Sequence, residues 1–300
     1  MTSTTTNADA GYGIAPPGYR LPAATRLGAV RLQVADLDRS LEWYRRVLGL
    51  EVADRAAGKA SLAPPAMGRT LVELHERRGA TPIPRRGRLG LYHYALLLPD
   101  RPALGRFLRH LADINERAGM SDHLVSEALY LSDPDGLGIE IYADRPRAAW
   151  RHQDRQLVMA TNPLDVESVL AAGGDGPWTG MPAGTVLGHV HLYVDDLDRA
   201  AKFYHAGLGL DRVVWSYPGA LFLSAGGYHH HVGTNTWAVG APLAGENDAR
   251  LLEWEIVLPE TEDVRAAARS LEQAGASVAS EGGAATAADP WGTRLRLTTA

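Results

Sequence analysis

Residues 28–50 read GAVRLQVADLDRSLEWYRRVLGL, and residues 188–210 read GHVHLYVDDLDRAAKFYHAGLGL. The two stretches lie 160 positions apart and agree at 12 of 23 positions, including Asp36-Leu37-Asp38-Arg39, Tyr44 and Leu48-Gly49-Leu50. That is far beyond chance, and a repeat organises everything read after it. The same offset of 160 relates LYHYALLLP at 91–99 to LLEWEIVLP at 251–259. An offset of 156 relates Asp133-Pro134-Asp135-Gly136 to Asp289-Pro290-Trp291-Gly292. Each half of the chain therefore carries two units, near 27–80 and 88–147 in the first and near 186–240 and 249–300 in the second. The first pair spans 27–147 and the second 186–300. Residues 1–26, with Pro16-Pro17-Gly18, read as an N-terminal tail. Residues 148–185, with Gly173-Gly174 and Gly176-Pro177, read as a linker.

One plan runs through each unit. Val30 to Val34 alternates apolar and polar residues, the pattern of a half-buried strand. Asp36 or Asp38 then supplies a helix N-cap. Leu37, Leu41, Tyr44 and Leu48 follow on one helical face, and Gly49 is a natural stop. Three strand-like segments come next, such as Arg69–Glu76. A βαβββ unit this short cannot cover its own sheet, so two must pair. The expected fold is α+β, with four βαβββ modules pairing into two curved-sheet half-barrels.

Composition narrows the chemistry. The 300 residues are 45% hydrophobic and 22% charged, the balance of a globular protein. Thirty Lys and Arg against 35 Asp and Glu give a net charge of −5, which argues against a nucleic-acid partner. No apolar run reaches the ~18 residues of a membrane span. The Thr-rich stretch Met1–Ala10 lacks the apolar core of a secretory signal, so a cytoplasmic protein without a membrane partner is expected. The absence of cysteine excludes disulfides, thiolate metal sites and a cysteine nucleophile. Any metal must be held by His and carboxylate.

Comparison of the units locates such a set. His93 and His189 each lie fourteen residues before a helix aromatic, Phe107 and Phe203. The equivalent positions of the first and fourth units are Ala29 and Glu253. Glu140 sits between Ile139 and Ile141 in a strand that should be buried, where a carboxylate needs a partner. Its counterpart in the fourth unit is Arg296. Two imidazoles and one carboxylate form a facial triad that leaves open positions on non-haem Fe(II), and they suit Mn(II) or, less distinctively, Zn(II). His191 rivals His189 because both share a strand face; the fourteen-residue register favours His189. Tyr44 and Tyr204 read as core packing. Arg77-Arg78 and Arg85-Arg86 read as solvated surface.

LGHVHLYV at 187–194, GGYHHHVGTNTW at 226–237 and DHLVSEALYLSDPDGLGIEIY at 122–142 resemble segments of the vicinal oxygen chelate superfamily. Within it the sequence looks like the type I extradiol ring-cleaving dioxygenases, in particular the bacterial catechol 2,3-dioxygenases. The resemblance runs from Leu27 to the C-terminus. It implies metal ligands at His93, His189 and Glu140, a small aromatic diol substrate, O₂ and a homo-oligomer. It also implies catalytic roles for His230, with His229 and His231 as neighbouring alternatives, for Tyr130, ten residues before Glu140, and for His123. His230 is expected in the last strand of its unit, where Tyr228 and Val232 flank the three histidines and Asn235 and Trp237 suggest an ordered strand. The unit with two ligands precedes the unit with one, an order that requires the second unit to pair with the third and the first with the fourth. A glyoxalase-like isomerase or transferase, a hydroquinone-type dioxygenase and a small-molecule binding protein are the competing readings.

Overall fold

The computed structural model describes residues 12–65 and 68–299, so the first eleven residues of the N-terminal tail lie outside it. The first unit runs β1 (Arg26–Val34), α1 (Leu37–Trp43), β2 (Glu51–Ala56), β3 (Lys59–Ala63) and β4 (Val72–Glu76). The second runs β5 (Gly90–Leu97), α2 (Arg101–Asp113), β6 (Gly119–Asp122), β7 (Ser126–Ser132) and β8 (Gly138–Asp144). The intervening stretch holds β9 (His152–Gln153), β10 (Gln156–Leu157) and α3 (Val166–Ala172). The third unit comprises β11 (Val186–Tyr193), α4 (Leu197–Ala200), β12 (Asp211–Val214), β13 (Ala220–Ser224) and β14 (Val232–Asn235). The fourth comprises β15 (Arg250–Leu258), α5 (Thr261–Gln273), β16 (Val278–Glu281), β17 (Ala284–Ala288) and β18 (Arg294–Thr299).

Two eight-stranded sheets result. One has the order β12-β13-β14-β11-β5-β8-β7-β6 and joins the third unit to the second. The other, β16-β17-β18-β15-β1-β4-β3-β2, joins the fourth to the first. The joints are antiparallel pairs, β11 with β5 and β1 with β15. The four-module architecture expected from the repeat is the one observed.

The repeated helix forms for the reasons its sequence gives. Asp36 caps α1 by accepting the N–H of Arg39, and Asp196 does the same for α4. Leu37, Leu41, Tyr44 and Leu48 are all buried in one core that draws on all four units. Each such leucine contributes about 1.5–3 kcal/mol. Both helices end in a wider π turn, Tyr44–Leu48 and Ala201–Gly207. Gly49 then adopts φ +68°, where a Cβ would stand 2.5 Å from the Gly180 backbone. The segment before β11 thus docks on the first helix, and Met181 N–H donates to the Gly49 carbonyl at 2.9 Å.

Tyr44 and Tyr204 do more than pack. Tyr44 O–H donates to Asp133 at 3.3 Å, and Tyr204 O–H donates to Asp289 at 2.7 Å. Each aspartate begins the duplicated turn and accepts two backbone N–H groups from it. Both bonds join a helix of one sheet's units to a turn of the other's, so the duplication has copied an inter-sheet tie along with the fold.

The segments flanking the units are ordered where described. Residues after Tyr12 run along the third unit: Ile14 pairs with Arg212, and Leu21 N–H donates to the Gly209 carbonyl. In the stretch read as a linker, α3 packs on α2, where Arg101 reaches Ser168 Oγ at 3.0 Å.

Candidate metal centre

β5, β8 and β11 lie side by side at the middle of one sheet. β5 carries His93, β8 carries Glu140 and β11 carries His189, and all three side chains are buried. His93 Nε2 lies 3.0 Å from Glu140 Oε2, His189 Nε2 lies 3.1 Å from it, and the two nitrogens are 3.3 Å apart. Donors on one face of an octahedron around a cation bonded at about 2.1 Å lie about 3.0 Å apart. The cluster has the spacing of a facial three-donor set and can hold a metal ion.

Charge fits as well. Burial holds both imidazolium pKa values below the ordinary histidine value. Burial opposes ionisation of Glu140 too, but the imidazoles of His189 and His93 outweigh it and hold its carboxyl well below the usual range. Two neutral imidazoles and one carboxylate leave a single buried negative charge for a divalent cation to neutralise. Neither Nδ1 has a hydrogen-bond partner among the described residues. Packing sets the rings instead, with Tyr92 4.5 Å from His93 and Tyr142 5.1 Å from His189 between centroids.

Gly188 makes that packing achievable. A Cβ there would stand 1.8 Å from Tyr142 Oη, beside the bulge that precedes His189. Gly188→Ala is expected to displace Tyr142 and His189 together. It should cost about 1–3 kcal/mol of stability and weaken metal binding, as thermal unfolding and metal analysis would register. Unaltered unfolding and metal content would show that Tyr142 does not constrain His189.

The remaining candidates surround a cavity of about 800 Å³ that His93 and Glu140 also line. Tyr130 and Glu140 are direct partners across the β7–β8 hairpin. His123 Nδ1 lies 2.7 Å from the Ala160 carbonyl, which only accepts, so Nδ1 carries the proton. In the neutral ring Nε2 is therefore an acceptor, and Tyr130 O–H donates to it at 2.6 Å. Burial, with the Glu140 charge adding to it, pushes the Tyr130 hydroxyl well above 10, so it stays a donor.

Of the three consecutive histidines, only His230 lines the cavity. His229 to His231 lie in the loop entering β14 rather than in the strand, because β14 begins at Val232. His231 Nδ1 accepts the Ala225 N–H on the far side. His229 Nε2–H donates to Asp144 Oδ1 at 2.9 Å, which leaves its Nδ1 to accept His230 Nδ1–H at 2.7 Å. With both rings neutral, His230 keeps a bare lone pair on Nε2. His191, the rival ligand, has its Nε2 engaged by Asn235 Nδ2–H at 2.9 Å.

Sequence reasoning missed Asp144, though a period-two signal was available: Glu140, Tyr142 and Asp144 share one face of β8. It also missed the contribution of the stretch read as a linker, since Met159, Ala160 and Thr161 line the cavity. Arg85 and Arg86 are exposed, as surface residues should be, yet they line the cavity mouth.

The other sheet has a matching cleft of different chemistry. Arg31 reaches Glu73 at 2.7 Å and Glu255 at 3.2 Å and is paired with Glu253; Arg294 reaches Glu253 at 3.3 Å. Fixed cations and carboxylates satisfy one another there, and among the described residues only the His93, Glu140 and His189 group has metal-ligand spacing.

The chain is similar to known proteins. The sequence model of the Glyoxalase/Bleomycin resistance protein/Dioxygenase superfamily matches residues 26–141 and 186–297. The chain is 44% identical over 258 residues to a catechol-2,3-dioxygenase of Bacillus subtilis (strain 168), covering 85% of this chain and 90% of that protein. A Bacillus subtilis structure provisionally described as a dioxygenase superposes with a TM-score of 0.64 at 14% identity, over 93% of this chain and 86% of that one. Glyoxalase I from Zea mays superposes with a TM-score of 0.56 at 18% identity, over 91% of this chain and 92% of that one. At those identities the two structures speak for the fold alone.

Proposed function

The chain belongs to the glyoxalase, bleomycin resistance protein and dioxygenase superfamily, and we propose that within it this protein is an extradiol dioxygenase that cleaves a catechol with O₂. The observation that carries the proposal is the buried facial set of His93, His189 and Glu140, two of which, His93 and Glu140, line the same cavity as His230, Tyr130 and His123. The 44% identical catechol-2,3-dioxygenase supports it. Fe(II) is the proposed metal, with Mn(II) the alternative. The ring carbon–carbon bond beside the two hydroxyls breaks and both atoms of O₂ enter the product, so catechol gives a hydroxymuconic semialdehyde.

Bound in that set, Fe(II) would supply Lewis acidity toward the two vicinal oxygens of the diol and electron density toward O₂. The chain's own residues supply positioning and proton transfer. Tyr92, Phe222 and Trp237 wall the cavity and accept a flat ring. His230 Nε2 takes a hydroxyl proton from the diol and later returns it, with Asp144 and His229 fixing the tautomer that makes this nitrogen basic. Tyr130 is positioned by His123, which is anchored in turn to the Ala160 carbonyl, and the proton it gives His123 in the free site would turn to a reacting oxygen of the bound diol. Tyr130→Phe should leave metal content unchanged and lower turnover by about 10²-fold, the scale of losing one fixed donor; stopped-flow kinetics with matched metal analysis would test it.

A glyoxalase-like isomerase is the rival. Such sites take a carboxylate from each paired unit, and the cluster here has a single one. Metal-free protein reloaded anaerobically with Fe(II), Mn(II) or Zn(II) separates the two. Oxygen uptake with catechol is expected for the Fe(II) or Mn(II) protein and not for the Zn(II) protein. Isomerisation of a hemithioacetal by the Zn(II) form, with no oxygen uptake in any form, would overturn the proposal.

A further inference from the structure

The outer end of the metal cavity is cationic, although the chain as a whole is acidic. Arg85 and Arg86, in the loop before β5, and Arg117, between α2 and β6, all line it. Other arginines in the same stretch are engaged elsewhere. Arg88 binds Asp248 at 2.7 Å, Arg78 binds Glu76 at 3.2 Å, and Arg77 binds Asn247 at 3.1 Å. Glu116, the one acidic residue at the mouth, is paired with Arg46 at 3.2 Å. Among the described residues, no carboxylate pairs with Arg85, Arg86 or Arg117.

The loop holding two of these arginines is pinned. Ile83 N–H donates to the Asp135 carbonyl at 2.8 Å and Gly87 N–H donates to the Pro84 carbonyl at 2.8 Å, while Arg86 sits at φ +58°. That left-handed conformation is uncommon for a residue with a side chain. Arg86 and Arg85 stand close enough to Tyr193, which also lines the cavity, for their charge to act on its hydroxyl. Burial pushes the Tyr193 hydroxyl up to about 12, while Arg86 and Arg85 pull it the other way. The guanidinium field thus reaches the aromatic walls. The cavity volume of about 800 Å³ lies toward the top of the ~300–1,000 Å³ range of small-molecule sites, far more than a bare six-carbon ring fills.

We infer that this cavity takes an aromatic diol carrying an anionic substituent, with the hydroxyls at His93, His189 and Glu140 and a carboxylate at Arg85 and Arg86. The inference rests on the dioxygenase reading and adds the substrate class. A guanidinium in a planar fork is matched to a carboxylate, and charge-assisted bonds are about twice as strong as neutral ones. Unpaired cations at the mouth of a low-dielectric cavity also draw anions inward, an effect that salt weakens.

The test compares 3,4-dihydroxyphenylacetate with the neutral 4-ethylcatechol on metal-loaded protein, for wild type and an Arg85→Gln/Arg86→Gln double variant. Anaerobic calorimetry measures binding, and oxygen uptake measures turnover. Wild type should favour the acid by about tenfold or more in Kd and in kcat/KM at low salt, with the preference shrinking as ionic strength rises. The double variant should raise Kd and KM for the acid about tenfold more than for 4-ethylcatechol, with little change in kcat. Equal losses for both diols, or a wild type that favours the neutral diol, would overturn the inference even if both are cleaved. Arginine-dependent preference for the acid in calorimetry, without oxygen uptake from either diol, would uphold the anionic site and sink the dioxygenase reading instead.

Discussion

Glu140→Ala should strip the protein of metal and activity while leaving its fold intact. The carboxylate is the single charge of the donor set, lying 3.0 Å and 3.1 Å from the two imidazoles. Losing an outer partner of a metal ligand costs about 10–100-fold in affinity, and losing a ligand should cost more. His93→Ala and His189→Ala should behave alike. The fold should survive because Ile139 and Ile141, which bury β8 in the core, are untouched. Metal analysis after purification in limiting Fe(II), paired with circular dichroism, reads the result. A normal metal content in any one variant would remove that residue from the donor set.

His230→Phe should have an effect of similar size on turnover with no effect on the metal. The ring stands 4.0 Å from His189 between centroids and 5.0 Å from Phe222, so an aromatic replacement keeps the packing. Turnover should fall by about 10²-fold or more, the scale of a lost general base. Burial, with the neighbouring histidines adding to it, holds the His230 imidazolium well below the ordinary histidine range. Nε2 is therefore already a free base at neutral pH. Activity supported by it should persist through neutrality and fall only under acidic conditions as the ring is protonated, and His230→Phe should abolish that acidic limb. Because His231 faces the other way, His231→Phe should retain the limb. Near-wild-type turnover in the His230 variant would overturn its assignment as base.

The parts of this molecule written twice were the parts legible in the sequence. Leu37, Leu41, Tyr44 and Leu48 announced a buried helical face, and the same letters at an offset of 160 announced a second copy. The triad could be read because two units broke the repeat in a chemically meaningful way. His93 and His189 stand where the other units have Glu253 and Ala29. Features made by loops meeting in space were not legible. His123 is anchored by a carbonyl 37 residues away, and His229 by a carboxylate 85 residues away. No periodicity records contacts of that kind. The tripled histidine was read as strand because aromatic and apolar neighbours flank it, but the backbone turns at Gly226 and Gly227, both at positive φ, and delays β14 to Val232. Arg85 and Arg86 looked like ordinary surface because exposure and a position at a cavity mouth carry the same sequence signal.

The central claim is that His93, His189 and Glu140 hold an iron that directs ring cleavage beside the diol. The most direct measurement is identification of the product formed from catechol and ¹⁸O₂ by the Fe(II)-loaded protein. The expected product is a ring-opened hydroxymuconic semialdehyde carrying both labelled atoms, formed mole for mole with the oxygen consumed. A muconic diacid cleaved between the hydroxyls, or catechol recovered intact with no oxygen consumed, would contradict the account.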